Sequence, residues 1–302
     1  MQRILKTFLL LIFPYALAAQ TGEDFSWWNA IHQWDGHTSW EQYMTISPAF
    51  MGPNALPVPD IQNGTLSDEI QVEQLAGYQF STGDKTTDLF SRVYIPLHQD
   101  KVGLEMYVVP IEFFETDTIT RDVRAARTQS GKGSAGGDIY FSTHISILKD
   151  KSKWPDISLE LAFRSASGTR LRDARYTDAA GYFFDLSFGK NIVMNKEKEF
   201  ALRPYFMGGF YSYQTYDIQH LQNDAVLYGI GLDFSSKKIS IAQQFGGYSG
   251  YFNNGDQPMV YRAVFKVKQK HIDYKLWYQW GLHDFPFQGI RAGIIVHGKM
   301  NH

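Results

Sequence analysis

From about residue 70 to its end this chain keeps a period of two, and that period admits strands and little else. Ile139, Phe141, Thr143, Ile145 and Ile147 share one face, with Asp138, Tyr140, Ser142, His144 and Ser146 on the other. Val226, Tyr228, Ile230, Leu232 and Phe234 oppose Gly229, Gly231 and Asp233. Tyr261, Ala263, Phe265 and Val267 oppose Arg262, Val264, Lys266 and Lys268, and Ile272, Tyr274, Leu276, Tyr278 and Trp280 oppose Asp273, Lys275 and Gln279. About twelve such segments start near residues 70, 86, 101, 137, 156, 181, 200, 224, 239, 258, 272 and 288. Most run for about nine to thirteen residues, which is long for a soluble strand and right for a tilted strand crossing a bilayer.

Two packed sheets would also alternate, so the connections must decide. After the first, the odd-numbered ones are long (116–136, 167–180, 214–223, 250–257, 281–286), while the even-numbered ones are mostly short and rich in Lys or Ser. Long loops at one end and short turns at the other mark an outer-membrane barrel. The expected fold is therefore all-β: an antiparallel transmembrane β-barrel of about 12 strands over residues 70–302, preceded by an irregular N-terminal segment.

The N-terminus reads as an address. Arg3 and Lys6 precede an apolar stretch from Thr7 to Leu17, and Ala16-Leu17-Ala18-Ala19 closes it with small residues. This is the form of a cleaved signal peptide, residues 1–19, and the stretch is too short for a spanning helix. Nothing later is apolar for long enough, so a mature chain that enters a membrane must do so as strands. The expected location is the bacterial outer membrane.

Residues 20–69 differ from the rest. Trp27, Trp28, Trp34 and Trp40 cluster, and Pro53, Pro57 and Pro59 rule out a regular helix or an interior strand. One short strand, 43–47, is expected here. Exposed aromatic surface favours burial, so the segment is expected to act as a cap or plug that restricts the barrel from the periplasmic side. His32, Asp35 and His37 form a weak metal-like grouping that reads better as ordinary polar loop residues.

With 29 basic and 31 acidic side chains the formal charge is −2, which excludes nucleic-acid binding through bulk charge. There are no cysteines, so thiol catalysis, disulfides and Cys-based zinc sites are excluded, and no cofactor or metal is expected. Hydrophobic residues make up 44% of the chain, enough to exclude dominant disorder.

Charges near a lipid midplane cost several kcal/mol, so those on the strands must face the lumen. The lumen-lining candidates are Glu73, Arg92, Glu105, Asp138, Glu160, Arg164, Asp185, Arg203, Tyr205, Tyr211, Asp233, Arg262, Lys266, Asp273, Lys275 and Arg291, with Tyr213 beside the other tyrosines. Their signs nearly balance. A ladder of paired ions filling the interior is at least as good a reading as a conducting pore, and packing is the better role for the tyrosines. Arg121, Arg124 and Arg127 in one long loop, and Arg170, Arg172 and Arg175 in the next, suit either loop-to-loop salt bridges or clamps on lipopolysaccharide phosphates. The salt-bridge reading is preferred.

Gly136-Gly137-Asp138-Ile139-Tyr140, then Pro155-Asp156-Ile157-Ser158-Leu159-Glu160-Leu161 and Ser165-Ala166-Ser167-Gly168, resemble the outer-membrane barrels grouped with MetA-pathway phenol-degradation proteins, distant relatives of fatty-acid transporters. The Trp-rich segment with Gly-Pro-Asn-Ala-Leu-Pro-Val-Pro is similar to exported proteins of Bacteroidetes-type bacteria. The resemblance implies a barrel that passes or binds small, partly hydrophobic molecules, and it transfers no functional residue. His144-Ile145-Ser146 has the His-x-Ser spacing of outer-membrane phospholipases, but Ile147-Leu148-Lys149-Asp150 follows without their Asn, and alternation points the pair into the lumen. No catalytic residue is assigned.

The function expected is a passive channel or uptake porin for small solutes. The alternative is a structural or binding barrel with a filled, salt-bridged interior, and a lipid-hydrolysing enzyme ranks last. Its expected partners are outer-membrane lipid, lipopolysaccharide and the barrel-assembly machinery.

Overall fold

A computed structural model describes residues 23–98, 101–149, 151, 153–195 and 200–299. The expected signal peptide, residues 1–19, lies outside the described residues.

The alternating segments form β1 (Ile70–Ser81), β2 (Asp84–His98), β3 (Val102–Thr116), β4 (Lys132–Ala135), β5 (Tyr140–Leu148), β6 (Asp156–Arg164), β7 (Gly181–Gly189), β8 (Val193–Asn195), β9 (Phe200–Gln214), β10 (Gln222–Ser235), β11 (Ile239–Ser249), β12 (Met259–Val267), β13 (Ile272–His283) and β14 (Gln288–Gly298). Every pairing is antiparallel, and β1 pairs with both β2 and β14, which closes the sheet. Twelve strands make the barrel. The two short strands are accessories: β4 continues the line of β5 along β3, and β8 pairs with β9. Among the described residues, closure leaves only the short β4 and β8 with an unpaired edge.

Outward positions carry exposed large apolar side chains on every side. Phe141, Leu161, Phe184, Phe206, Ile230, Ile241, Phe265, Leu276 and Ile290 are each more than a third exposed. Inward positions hold Glu73, Arg164, Asp185, Arg203 and Arg262, all buried. Apolar outside and polar inside inverts a soluble protein, and it suits a wall surrounded by hydrocarbon.

Both ends of the barrel chain lie at the end of the short turns 236–238 and 268–271, while 117–131, 165–180, 215–221 and 250–258 lie at the other. The longest loop is not irregular throughout: it carries helix α2 (Thr118–Val123), N-capped by the Asp117 carboxylate, which accepts from Thr120 N at 2.7 Å.

The N-terminal segment corrects two expectations. Residues 43–47 form no strand; the 3₁₀ turn Trp40–Tyr43 leads into unpaired extended chain. The segment also does not approach from the turn end. Helix α1 (Ser26–His32) sits among the long loops, where Trp28, fully buried, donates its indole N–H to Ala125 O at 3.0 Å. Arg127 lies 4.0 Å over the Phe25 ring and 5.2 Å over Trp28, and Arg121 lies 4.3 Å over Trp27. The reason for the placement is chemical. Four tryptophans need a partly apolar surface with cations, and the arginine-bearing long loops supply it. From there the chain runs through the lumen and reaches β1 at the turn end.

Candidate functional site: a lumen threaded by its own N-terminal segment

A chain that crosses a barrel without joining a ladder must find donors for its carbonyls elsewhere. Pro53, Pro57 and Pro59 sharpen the demand, because they add carbonyls and no N–H. The wall answers with guanidinium, phenol and amide donors. Arg164 Nη1 donates to Ala55 O at 2.7 Å, Tyr248 OH to Leu56 O at 3.0 Å, and Arg262 to Val58 O at 2.5 Å and Pro59 O at 2.8 Å. Gln244 Nε2 reaches Ile61 O at 3.1 Å, and Arg203 Nε reaches Asn63 O at 2.9 Å. The side chains of the segment do the same for the acids. Asn54 donates to Asp88 at 3.1 Å and Glu112 at 2.8 Å, Gln62 to Glu160 at 3.0 Å, and Asn63 to Asp233 at 2.9 Å.

Close passage also needs room in the wall. Gly229 and Gly246 are direct cross-strand partners on β10 and β11, and both face Ile61. A Cβ at Gly229 would stand 2.8 Å from Ile61 Cγ2, so the two glycines form the groove in which Ile61 lies.

At the long-loop end an ion cluster pins the segment. Arg175, fully buried, donates to Glu112 at 2.8 Å, Asp84 at 2.8 Å and the Thr86 hydroxyl at 2.7 Å. Arg124 adds a bond to Asp84 at 2.5 Å, and Tyr176 OH donates to Glu112 at 2.9 Å. Gly52 rests against this guanidinium and donates its N–H to Ala174 O at 2.8 Å. The loop arginines thus pair within the chain, Arg124 and Arg175 in the interior and Arg170 and Arg172 at the surface. Arg172 pairs with Glu23, and Arg170 stands 3.8 Å from Asp173.

The lumen-lining candidates occupy buried or half-buried positions. Glu73 binds Lys275 at 2.5 Å; Arg92 pairs with Asp60 and stands 3.7 Å from both Glu73 and Glu105; Arg203 binds Asp156 at 2.9 Å; Arg291 binds Asp88 at 2.7 Å. Asp138 accepts from Gly168 N at 2.6 Å with Arg164 at 3.9 Å, and Asp273 stands 3.2 Å from His297. Lys266 borders a cavity at the turn end. Tyr205 OH donates to Asp233 at 2.8 Å, while Tyr211 and Tyr213 pack with Tyr248 around the segment, the first pair edge to face at 4.9 Å. Glu105, His144, Glu160 and Asp185 gather on β3, β5, β6 and β7; Glu160 is the direct cross-strand partner of both His144 and Asp185.

Alternation missed Glu112, and the reason is a bulge. The β2–β3 register shifts near Leu89 and Ser91, so both Pro110 and Ile111 face outward and the inward parity of β3 changes after Val109. Asp84 and Asp88 needed no such allowance; they share the inward parity of Arg92.

His32, Asp35 and His37 do not converge on a metal. The Asp35 carboxylate accepts from the His37 and Thr38 amides at 2.9 and 2.7 Å and from the Thr38 hydroxyl at 2.5 Å. Those bonds, the hydroxyl's first, hold its pKa down to about 2. His32 packs 4.8 Å from Trp28, and burial lowers its pKa.

Among the described residues, two cavities inside the barrel lie beside the segment. The one nearer the loops measures about 80 Å³ and has apolar walls at Leu75, Phe90, Val109 and Trp277. The turn-end cavity measures about 380 Å³ and is more polar, with Glu105, His144, Asp233 and Lys266. Asp60, Arg92, Lys275 and Trp277 line both.

No family model matches this sequence, and no curated protein does. Solved structures do. An outer-membrane channel from Pseudomonas putida F1 aligns over 77% of this chain and 97% of its own, with a TM-score of 0.50 and 12% identity. The KdgM porin aligns over 77% and 99% (TM-score 0.46, 11% identity), and an anion-selective porin from Comamonas acidovorans over 76% and 98% (0.37, 9%). At such identities the likeness speaks to architecture, and the first of these agrees with the closed antiparallel barrel described above.

Proposed function

We propose that this chain is a porin-like barrel of a bacterial outer membrane. On this reading it passes small, partly hydrophobic solutes along a narrow path beside its threaded N-terminal segment. The apolar outer wall, the long-loop and short-turn asymmetry and the sequence of an export signal support the location. Insertion would then depend on the barrel-assembly machinery, with lipid and lipopolysaccharide as surroundings. The path rests on one observation: the two cavities adjoin at Asp60, Arg92, Lys275 and Trp277. On this reading those four residues form the neck between the smaller chamber and the more polar one. Paired charges there would admit a small solute with a polar group and resist a large one.

The second reading, a barrel permanently filled by residues 44–66, draws on the dense bonding of that segment to the wall. No hydrolytic role is assigned to His144 and Ser146. His144 is buried in the lumen, away from the outer wall where bilayer lipids would lie.

Single-channel conductance in planar bilayers tests the proposal. The intact protein is expected to conduct weakly, and a variant lacking residues 27–64 several-fold more. An intact protein that never conducts, beside a folded deletion variant that does, would establish the filled barrel instead. Equal conductance of the two would show that the segment does not bound the path.

A further inference from the structure

Glu105 and His144, on the wall of the turn-end cavity, belong to a group of side chains that the threading of the segment only partly explains. His144 Nε2 stands 3.8 Å from Glu160 Oε1 and 4.0 Å from Glu105 Oε1, and the three ligand atoms lie within 4.8 Å of one another. His144 is 6% exposed, and its Nε2 has no hydrogen-bond partner among the described residues. Glu160 is 3% exposed and meets Asp185, 1% exposed, directly across the β6–β7 pair. The Ser187 hydroxyl donates to Asp185 Oδ1 at 2.9 Å, and Oδ2 has no hydrogen-bond partner among the described residues. Gln62 occupies the other oxygen of Glu160, which leaves Oε1 turned toward His144.

The charges do not close by themselves. The basic side chain nearest Glu105 is Arg92, at 3.7 Å, and it is also engaged with Asp60 and Glu73. Buried carboxylates without a counter-ion are costly, and so is a buried imidazole nitrogen without a partner. A divalent cation among these atoms would satisfy both at once.

We propose that Glu105, His144 and Glu160 bind a divalent transition-metal ion of the zinc type, open on one side to the turn-end cavity. The imidazole argues against calcium and magnesium, which prefer all-oxygen shells. With metal–ligand bonds of about 2.0–2.2 Å, tetrahedral ligand atoms stand about 3.4 Å apart, so side-chain rotations must close 3.8 and 4.0 Å to the imidazole and at most 4.8 Å between the carboxylates. The three ligands come from adjacent strands β3, β5 and β6, a rigid frame, and the cavity supplies both the entry path and the remaining position. The same placement explains a buried patch in which Glu105, Glu160 and Asp185 outnumber the bases beside them.

The test uses the full-length protein in detergent, stripped with chelator and titrated with zinc chloride by calorimetry and with cobalt(II) by absorption. One ion per chain is expected. His144→Gln and Glu160→Gln should each weaken zinc by at least tenfold, while His220→Gln, in an exposed loop, should leave it unchanged. Should either lumen variant fail to fold, the cobalt-loaded wild type still decides, since paramagnetic shifts of the His144 ring protons report the bond directly. No stoichiometric binding by the wild type, binding unaltered in folded lumen variants, or an unshifted His144 ring would each overturn the proposal. The carboxylates would then share protons instead.

Discussion

Replacing Arg175 with Met removes the centre of the long-loop cluster while keeping most of its volume. The side chain is fully buried, makes three charge-assisted or polar bonds, and lies 4.8 Å over the Phe114 ring. Asp84 keeps Arg124, and Glu112 keeps Asn54 and Tyr176 OH, so the acids are not stripped bare. Even so, two carboxylates lose a guanidinium in a buried site, a change of about 3–5 kcal/mol. Gly52 also loses the surface it rests on, although its bond to Ala174 is untouched. The cost should fall locally, on the opening of residues 50–58 from the wall. At 1.4 kcal/mol per tenfold, amide exchange at Gly52 and Ala55 should speed up by about two to three and a half orders of magnitude. Hydrogen exchange on protein in lipid nanodiscs reads this, with amides of the β12–β13 pair as internal reference. If Gly52 exchanges as in the wild type, the cluster does not hold the segment. If the reference amides speed up equally, the effect is global and the latch argument fails.

Three further outcomes are expected. Leu232→Arg or Phe265→Arg, both on the outer wall, should lower barrel stability in lipid by about 2–4 kcal/mol; normal accumulation in the soluble periplasmic fraction would contradict the membrane reading. Gly229→Val should cost about 1–3 kcal/mol by driving a side chain into Ile61, and Ile61→Ala about 2–5 kcal/mol. Because each change relieves the other, the double variant should lose less than the sum by more than about 0.5 kcal/mol, and additivity in urea unfolding would argue against the groove. Finally, the folded pKa of Asp35, about 2, lies below its ordinary value. The turn at residues 35–38 is therefore fully stabilised above the ordinary carboxylate range and weakens as pH falls through about 2. An Asp35 carboxyl carbon titrating near 4 by NMR would contradict the hydrogen-bonded turn.

The period of two in residues 70–298 was enough to establish the strands, their inward and outward faces and their antiparallel order. A strand's faces are a local property, and a charge on the wrong face of a membrane wall has no cheap remedy. Glu73, Arg164, Asp185 and Arg262 were legible as lumen residues for that reason. Alternation misled where the backbone bulged, above all at Pro110–Ile111, the bulge that returns Glu112 to the interior. The course of residues 23–69 was not legible. Prolines and tryptophans say that such a segment avoids ladders and seeks burial, but they do not say where. That was decided by partners far away in sequence: Arg127 and Arg121 for the rings, Arg164, Arg262 and Tyr248 for the carbonyls, and Gly229 and Gly246 for the space. Each of these residues reads locally as an ordinary strand or loop residue. Only barrel closure brings them around one path, and the same closure sets Glu105, His144 and Glu160, up to fifty-odd residues apart, at one level of the wall.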